Sequence, residues 1–425
     1  MSKKPSIAVI GAGLGGLAAG IKLKEAGFDD VVILEKAAKV GGTWRDNSYP
    51  GCCCDVPVAL YQYSFAPSLN WSHLFPRYNE IQKYAEDLAD NFGLRPQLKL
   101  NEETKSAVWD DARAVQIIPE IAKVTKHLSV FQRTPNWVVP RLDRAITDEE
   151  KALAMTAPHV AMMGRDLIYQ NSDYLFWQAF SWTKEGRAAY TRVALNHLAE
   201  QVPDAALRKK LTPDYPIGCK RILFADDYYP ALMRDNVSLV TDKIKRITPA
   251  GIDTVDGKSH AFDVIVYATG FETTGWHWSV DVVGKGGRRL HDEWAESPQA
   301  YLGITVAKFP NMFVLYGPNT NLGHNSITFM LERQVEYAVK AVQAMHARNL
   351  AAVEVKQAAQ ERFNRDLQTA LAKTTWADPH CRSWYKNAQG HITQNWSSHT
   401  RDYAAATAEV KWDDYAVRER ALAAE

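Results

Sequence analysis

The chain has 425 residues, of which 46% are hydrophobic and 23% are charged, a composition typical of a globular protein with roughly two or three domains. Lys and Arg contribute 50 residues and Asp and Glu contribute 49, so the formal net charge is only +1. That balance excludes an electrostatic footprint for nucleic acid or acidic membranes. The partners we expect are small molecules held in pockets.

Cysteine usage and the amino-terminal run bear on metal binding and location. Five cysteines are present, three of them consecutive at positions 52–54, and no CxxC motif occurs, so no metal site is predicted. We expect free thiols and a reducing, cytoplasmic location. The uncharged run 6–21 resembles a signal peptide, but five glycines between residues 11 and 20 favour a strand, a turn and a helix. No stretch approaches the roughly 18 apolar residues of a membrane span.

The first predicted elements form a dinucleotide-binding unit. An apolar strand at 7–10 leads into GAGLGG at 11–16, which matches GxGxxG, and a helix follows from 17 to 25. The first glycine permits the tight turn, the second lets a pyrophosphate approach the backbone, and the third lets helix and strand pack closely. A second strand at 31–34 ends at Glu35, which is placed to bind a ribose and disfavours a 2′-phosphate. The unit therefore predicts FAD or NAD.

The segment after the second strand decides between these two ligands. Gly42, Thr43 and Trp44 belong to a GGTW motif that is similar to the segment running along the flavin in flavoprotein oxidoreductases. FAD is therefore favoured. The alternative is a glycine turn that precedes a tryptophan of the hydrophobic core.

The middle of the chain is predicted to carry a helical insertion at about 147–206. Its aromatic residues either pack helices together or line a substrate pocket; they include Trp177, Phe180, Trp182 and Tyr190. Strands are predicted near 237–240, 244–247 and 262–267, and the last runs into an ATG turn at 268–270, where a flavoprotein chain crosses back into its FAD domain.

A further strand is predicted at 311–315, followed by a helix from Ile327 to about Arg348. The N-terminus of that helix would stabilise negative charge on a reduced flavin. His324 stands shortly before the helix and is either a flavin contact or a loop cap.

Several ordered motifs span nearly the whole chain. They are GTWRDNSYPG at 42–51 with CDVP at 54–57, FQRTP at 131–135, GCKR at 218–221 with DYY at 227–229, and GPNTNLGHNS at 317–326. Together they resemble the class B flavoprotein monooxygenases of the Baeyer–Villiger type, above all the 4-hydroxyacetophenone and cyclohexanone monooxygenases. The resemblance implies an α/β fold with two dinucleotide-binding domains, a Rossmann-like FAD domain and an incomplete NADP domain, and a helical insertion.

The resemblance also implies an enzyme that uses FAD, NADPH and O2 to insert one oxygen atom into a ketone, or to oxidise a sulfide or amine, through a flavin C4a-peroxide. The family's catalytic arginine corresponds to Arg221, which stabilises the peroxide anion, and its carboxylate partner corresponds to Asp55. Residues implied to hold NADPH are Lys220, Arg133 and Thr134 at the 2′-phosphate, and Trp384 against the nucleotide. Residues implied to bind FAD are Gly11, Gly13, Gly16, Glu35, Gly42, Thr43, Trp44, Asp55, Tyr61 and Ile327.

Physical chemistry supports the arginine assignment separately. An oxygen anion in a dry site needs a fixed positive charge, and arginine stays protonated there. A carboxylate such as Asp55 would orient the guanidinium in a forked pair. The alternative is that Arg221 makes an ordinary surface ion pair with the nearby Asp226 or Asp227.

The predicted NADP unit departs from the family pattern. Arg133 lies 19 residues after Ala114, the offset also found in the first unit, so Ala114 occupies the third position of the glycine turn. The first two glycines would stand at Trp109 and Asp111, and neither is glycine. The strand before the turn is missing too, and several dozen residues of the family pattern are absent near 110–113. A naturally shortened member, an engineered deletion and a gene-prediction artefact are the open origins.

These features predict an FAD-binding part at 1–110, an NADP-binding remnant at 111–265 that includes the insertion, and a second FAD-binding part with the carboxyl-terminal segment at 266–425. Three functions follow: an active FAD- and NADPH-dependent monooxygenase, a flavin-binding protein impaired by its missing NADPH turn, and a flavin oxidase reduced directly by substrate. The missing strand is expected to leave exposed sheet edges that promote aggregation.

Overall fold

The computed structural model describes residues 4–102, 114–181, 183–267 and 280–420. The amino-terminal elements are β1 (Ile7–Ile10), α1 (Leu14–Glu25), β2 (Val31–Glu35), α2 (Thr43–Asp46), α3 (Tyr78–Asn91) and β3 (Leu98–Leu100). The strands form a parallel sheet in the order β1-β2-β3, with Ile7 opposite Val31 and Ile33 opposite Leu98. The predicted strand, turn, helix and strand are confirmed, and α1 begins at Leu14 rather than at residue 17 because Gly13 is its N-cap.

The helix α1 covers this sheet with an apolar face. Leu17, Ala18 and Ile21 recur at helical spacing and are at most 1% exposed in the first hydrophobic core. Full burial of an aliphatic side chain such as Leu17 contributes about 1.5–3 kcal/mol. This packing fixes the direction in which the N-terminus of α1 points.

The middle of the chain contains the second unit and the helical insertion. Its elements are α4 (Ala114–Ile121), β4 (Leu128–Phe131), β5 (Val138–Val139), α5 (Asp148–Thr156), α6 (Pro158–Gln170), α7 (Lys184–Gln201), α8 (Ala205–Leu211), β6 (Leu223–Phe224), α9 (Tyr228–Leu232) and β7 (Val237–Val240). Strand β4 pairs in parallel with β7, and β5 pairs in parallel with β6. Among the residues that the structure describes, β4 has no other partner strand.

The aromatic residues of the insertion pack helices together. Trp177 and Phe180 are buried in the second core, where Trp177 lies 6.1 Å from the ring of Trp376. Tyr190 packs against Phe176, with the ring centroids 5.3 Å apart. These residues therefore pack helices together, which is the first of the two predicted alternatives. Trp182 lies outside the described residues.

The carboxyl-terminal third adds an antiparallel sheet, a long helix and a two-stranded ribbon. Its elements are β8 (Ile244–Thr248), β9 (Gly251–Thr254), β10 (Ser259–Ala261), α10 (Leu290–Trp294), α11 (Ile327–Ala347), β11 (Leu350–Val355), α12 (Gln357–Leu371), α13 (Thr400–Thr407) and β12 (Tyr415–Glu419). The predicted start of α11 at Ile327 is confirmed, and its end lies one residue before the predicted one. None of the described helices is long and apolar enough to span a membrane.

Two predicted strands are wrong over the residues that the structure describes. The observed strand β10 ends at Ala261, so the strand predicted at 262–267 does not form. Val264, Val266 and Tyr267 are 55–75% exposed. Residues 311–315 have no strand pairing either. Strand propensity is insufficient here because a strand also needs a neighbour for its backbone N–H and C=O groups. The ATG turn at 268–270 lies outside the described residues.

The prediction of free thiols is wrong for two of the five cysteines. Cys219 and Cys381 form a disulfide, with their Cα atoms 5.3 Å apart. They are separated by 162 residues, a distance across which counting cysteines reveals no proximity. The three consecutive cysteines at 52–54 are buried and form no disulfide with a described residue.

Candidate functional site

The glycine turn after β1 has the close approaches that its sequence predicts. Gly11 has a φ of +91°, a left-handed conformation that favours glycine. A Cβ atom on Gly16 would lie 1.8 Å from the carbonyl oxygen of Gly11, so only glycine lets α1 reach the strand. A Cβ on Gly42 would lie 3.1 Å from Gly13 Cα. The GGTW backbone thus crosses directly beside the turn.

The N-terminus of α1 is available to an anion. Gly13 caps the helix without any side-chain hydrogen bond, and the first turn holds no acidic residue. The first N–H groups of a helix have no partner within the helix, and the helix dipole adds partial positive charge. A turn without a side-chain cap therefore fits a pyrophosphate.

Glu35 lies at the end of β2, buried and already bonded. Its Oε2 accepts a hydrogen bond from Ala12 N at 2.8 Å, and its Oε1 accepts from Ala37 N and from Arg45 Nη1 at 2.9 Å. Each carboxylate oxygen can accept two bonds, so Oε2 keeps capacity for a ribose hydroxyl. The bonds from Ala12 and Arg45 fix the orientation in which that capacity is offered.

Two aromatic residues assigned to the FAD site lie together. Trp44 is buried in α2 and donates its Nε1 hydrogen to Tyr61 Oη at 3.0 Å, with the rings edge to face at 5.6 Å. Thr43 precedes Trp44 and is exposed at the start of α2. The short helix therefore presents one polar residue to solvent while its tryptophan stays anchored.

The ion pair between Arg221 and Asp55 connects the two halves of the chain. Arg221 Nε donates to Asp55 Oδ2 at 2.6 Å and Nη2 donates to Oδ1 at 2.8 Å, a forked geometry. The attraction of Asp55 raises the pKa of Arg221 above its ordinary value against the opposing effect of burial, and the guanidinium stays charged. Its side chain is 38% exposed against 10% for Asp55, so the cation keeps an open side.

Neither alternative partner forms an ion pair with Arg221 in the part of the chain that the structure describes. Asp226 Oδ1 accepts from the backbone N–H groups of Arg141 and Leu142. Asp227 is the N-cap residue of α9. The structure therefore pairs the arginine with the carboxylate that is 166 residues away in sequence.

The residues assigned to a 2′-phosphate also lie close to one another. Burial lowers the pKa of Lys220, and the positive charge of Arg133 lowers it further. The Lys220 ammonium lies 4.4 Å from the ring centre of Tyr215, whose hydroxyl donates to Pro135 O, beside Thr134. Two cations that repel each other are expected at a phosphate site, because a bound dianion relieves their repulsion.

Trp384 is 39% exposed and directly precedes Tyr385, on whose pKa the charge of Arg221 acts. The ring of Tyr385 lies 4.4 Å from it, and the positive charge of Arg221 opposes the effect of burial, which raises the pKa of Tyr385. Sequence reasoning missed Tyr385 and also missed the disulfide that joins the segments of Lys220 and Trp384. The available signal was position: Cys219 stands directly before Lys220, and Cys381 stands three residues before Trp384.

The N-terminal part of α11 packs beside the glycine turn at the start of α1. Ser326 is the N-cap and its Oγ accepts from Thr328 N at 3.3 Å, so the cap is Ser326 and not His324. A Cβ on Gly15 would lie 3.3 Å from Leu331 Cδ2, which shows how closely α11 packs on the first turn of α1. His324 is buried against the ring of Trp177 at 4.8 Å.

Comparisons with known proteins agree with this geometry. Residues 9–78 match the model of the NAD(P)-binding Rossmann-like domain. The chain is 35% identical to a Baeyer–Villiger monooxygenase of Streptomyces coelicolor over 97% of this chain and 92% of that protein. It is 34% identical to a Baeyer–Villiger monooxygenase of Pseudomonas aeruginosa, over 98% and 92%.

Two solved structures resemble it along their whole length. One is OTEMO in complex with FAD and NADP, with a TM-score of 0.84, 25% identity, and coverage of 98% of this chain and 100% of that one. The other is oxidised steroid monooxygenase bound to NADP, with a TM-score of 0.83, 25% identity, and coverage of 99% and 100%.

The alignment with the Streptomyces relative is longer than this chain. The alignment with the Streptomyces protein runs over 479 positions, although 97% of 425 residues is only about 412. About 67 positions of that relative therefore have no residue opposite them here. The alignment length gives the total of these positions and not their places along the chain.

Proposed function

The chain belongs to the Baeyer–Villiger monooxygenase family of flavin-dependent enzymes, and on that premise we propose that it uses FAD, NADPH and O2 to insert one oxygen atom into a ketone. Oxidation of a sulfide or amine is the related reaction of the same site. The observation that carries the proposal is the forked pair of Arg221 and Asp55, which fixes a cation with one open side.

The proposed FAD site is the intact first unit. Gly11, Gly13 and Gly16 shape the turn, the first N–H groups of α1 face the pyrophosphate, and Glu35 Oε2 accepts from the ribose. When bound, FAD supplies the hydride-accepting and oxygen-activating chemistry. Thr43, Trp44, Tyr61 and Ile327 line the remaining path; their support is the Trp44–Tyr61 bond and the packing of α11 on α1.

NADPH is proposed to bind along the second unit. Arg133, Thr134 and Lys220 would hold its 2′-phosphate, since two of them are cations that repel each other in the free protein. Trp384 would lie against the nucleotide with its exposed face. We assign residues 1–110 and 266–425 to the FAD-binding domain and 111–265 to the NADP-binding domain, with cytoplasm as the proposed location.

The protein's own contribution to the reaction is charge and position. Arg221 holds a positive charge that does not titrate, so an oxygen anion formed beside it is stabilised without a change of protonation. Asp55 holds the guanidinium plane in one orientation through two parallel bonds. A preorganised group of this kind needs no reorganisation when negative charge develops.

The test begins with the purified chain and added FAD. We expect flavin absorption bands that remain after gel filtration, bleaching of those bands by NADPH without oxygen, and an ester or lactone from a ketone panel under oxygen. The product, followed by mass spectrometry with ¹⁸O₂, should carry one labelled oxygen atom. A flavin-loaded protein that consumes oxygen with substrate but without NADPH would instead identify an oxidase.

A second candidate function rests on the incomplete second unit. Strand β4 pairs only with β7 among the described residues, and Trp109 and Asp111 stand where the turn needs glycine. On that basis the chain would bind FAD and turn over poorly, because the NADPH pyrophosphate lacks its seat. Insertion of a strand and glycine turn ahead of Ala114 should then restore NADPH-driven bleaching. If the unmodified chain already bleaches at a rate typical of such enzymes, the impaired alternative is rejected.

A further inference from the structure

A buried carboxylate in the helical insertion joins three segments that are distant in sequence. Asp173 lies in the π-helical turn Asn171–Leu175 and is fully buried. Its Oδ1 accepts from Thr400 N at 2.7 Å, from Thr400 Oγ1 at 2.8 Å and from Asn325 Nδ2 at 3.5 Å. Its backbone carbonyl accepts from His399 Nδ1 at 2.5 Å. We name the group the Asp173 cluster: Asp173, His324, Asn325, His399 and Thr400.

The cluster is charged although it is dry. Burial raises the pKa of Asp173, but the bonds from Thr400 and the nearby imidazole of His324 outweigh burial and hold that pKa below its ordinary value. Burial lowers the pKa of His324 against the opposing attraction of Asp173. His324 Nε2 lies 3.3 Å from Asp173 Oδ1 without hydrogen-bond alignment.

Two further ionisable groups face the cluster from its outer side. Tyr169 Oη and Thr400 Oγ1 are hydrogen-bonded at 2.8 Å, and Arg401 lies over the ring of Tyr174 at 4.1 Å. A buried ionised carboxylate is costly, and an apolar replacement of similar shape is often tolerated or stabilising. A charge kept in such a place is better explained by the positions it specifies than by stability.

The positions that it specifies lead to the proposed flavin site. Asn325 Oδ1 accepts from Ser326 N at 2.8 Å, and Ser326 caps the first turn of α11. In that turn, Thr328 Oγ1 donates to Leu60 O at 2.7 Å, beside Tyr61. An unbroken series of hydrogen bonds and adjacent residues therefore runs from Asp173 to the N-terminus of α11 and to the Tyr61 segment.

We infer that Asp173 is a positioning residue of the flavin site, whose carboxylate fixes Asn325 and thereby the first turn of α11 against the cofactor. The inference rests on the proposed function, since it concerns how FAD is held. It assigns to the helical insertion a task beyond packing. The insertion holds the end of the FAD site that the glycine turn at the other end does not reach.

The experiment compares wild-type protein with Asp173→Asn, which keeps the shape but removes the charge. Thr400→Val is the milder variant should Asp173→Asn fold poorly, because it removes the hydroxyl that bonds Asp173, Tyr169 and Asn325 but keeps the bond from Thr400 N to the carboxylate. Asp414→Asn is the matched control, because Asp414 is a partly buried carboxylate that accepts from Tyr301 Oη and Arg362 in the carboxyl-terminal region. The readouts are hydrogen–deuterium exchange of amides 324–330 without FAD and the dissociation constant for FAD.

We expect exchange at 324–330 and the FAD dissociation constant each to rise about tenfold in Asp173→Asn, less in Thr400→Val, and less than twofold in Asp414→Asn. Unchanged exchange in the two cluster variants overturns the inference. Faster exchange with unchanged FAD affinity also overturns it, since the cluster would then be structural alone. A wild-type chain that takes up no FAD contradicts the proposed function and, with it, the role of Asp173.

Discussion

In the first nucleotide-binding unit β1 pairs with β2 and ends in a turn where Gly11 has a positive φ and Gly16 leaves no room for a Cβ. In the second unit β4 pairs with β7, and no described strand occupies its other edge. Yet in the second unit the positive charge of Arg133 still lowers the pKa of Lys220. The two ends of the proposed NADP site are thus separable: the phosphate-cradling turn belongs to one strand–helix junction, and the cations proposed to hold the 2′-phosphate belong to others.

Replacement of Arg221, whose ion pair with Asp55 joins the two halves of the chain, is expected to have the largest effect. Arg221→Ala should lower NADPH-dependent oxygenation by about 10²–10³-fold and leave FAD bound, because one preorganised charge is lost from the reacting end. Product formation by the FAD-loaded protein measures it. Arg246→Ala is the control, since Arg246 is 70% exposed in its pair with Asp253. A loss below tenfold for Arg221→Ala would place the essential charge elsewhere.

Removal of the disulfide that joins the segments of Lys220 and Trp384 is expected to have the next largest effect. Replacing Cys219 and Cys381 by Ser should lower the free energy of unfolding by about 2–5 kcal/mol, because the bond closes a long loop in the unfolded chain. Guanidinium unfolding with and without dithiothreitol measures it. The reductant should shift the wild-type midpoint and leave that of the double variant in place. A wild-type unfolding midpoint that is unchanged by dithiothreitol argues against the disulfide.

The comparison of the two turns is sharpened by exchanging their third residues. Gly16→Ala should abolish FAD retention and cost about 1–3 kcal/mol, since its Cβ would meet the Gly11 carbonyl. Ala114→Gly, at the matched position of the shortened unit, should cost at most about 1 kcal/mol and leave FAD binding unchanged. Flavin absorbance after gel filtration and thermal unfolding give both values. Equal effects in the two units would remove the distinction drawn between them.

The smallest expected effect concerns pH. The pKa of Lys220 lies below its ordinary value, and a bound phosphate would raise it. NADP binding should therefore take up a proton, and affinity should fall, at most about tenfold, as pH rises through the pKa of the free lysine. Calorimetry in buffers of different ionisation enthalpy detects the uptake. Lys220→Arg should bind without uptake, because arginine stays protonated; the same uptake in that variant would assign the proton to another group.

Local patterns predicted the first unit well and long-range partners poorly. The strand at Ile7–Ile10 and the start of α11 follow from apolar runs and caps that lie within a few residues. The strand expected at 262–267 failed because its pairing partners are set by the whole sheet and not by its own propensity. Tyr385 beside Arg221 was missed for a related reason: no spacing rule spans the 164 residues between them.

The Cys219–Cys381 bond also changes what a protease can do to this molecule. Any single cut between those two residues leaves one covalent molecule, because the bond bridges both sides of the nick. Such a nicked chain would run as two fragments on a reducing gel and as one band without reductant. Arg221 and Trp384 would stay tethered within a few residues of the bridge, so cleavage of the intervening chain does not by itself release either half of the proposed NADPH site.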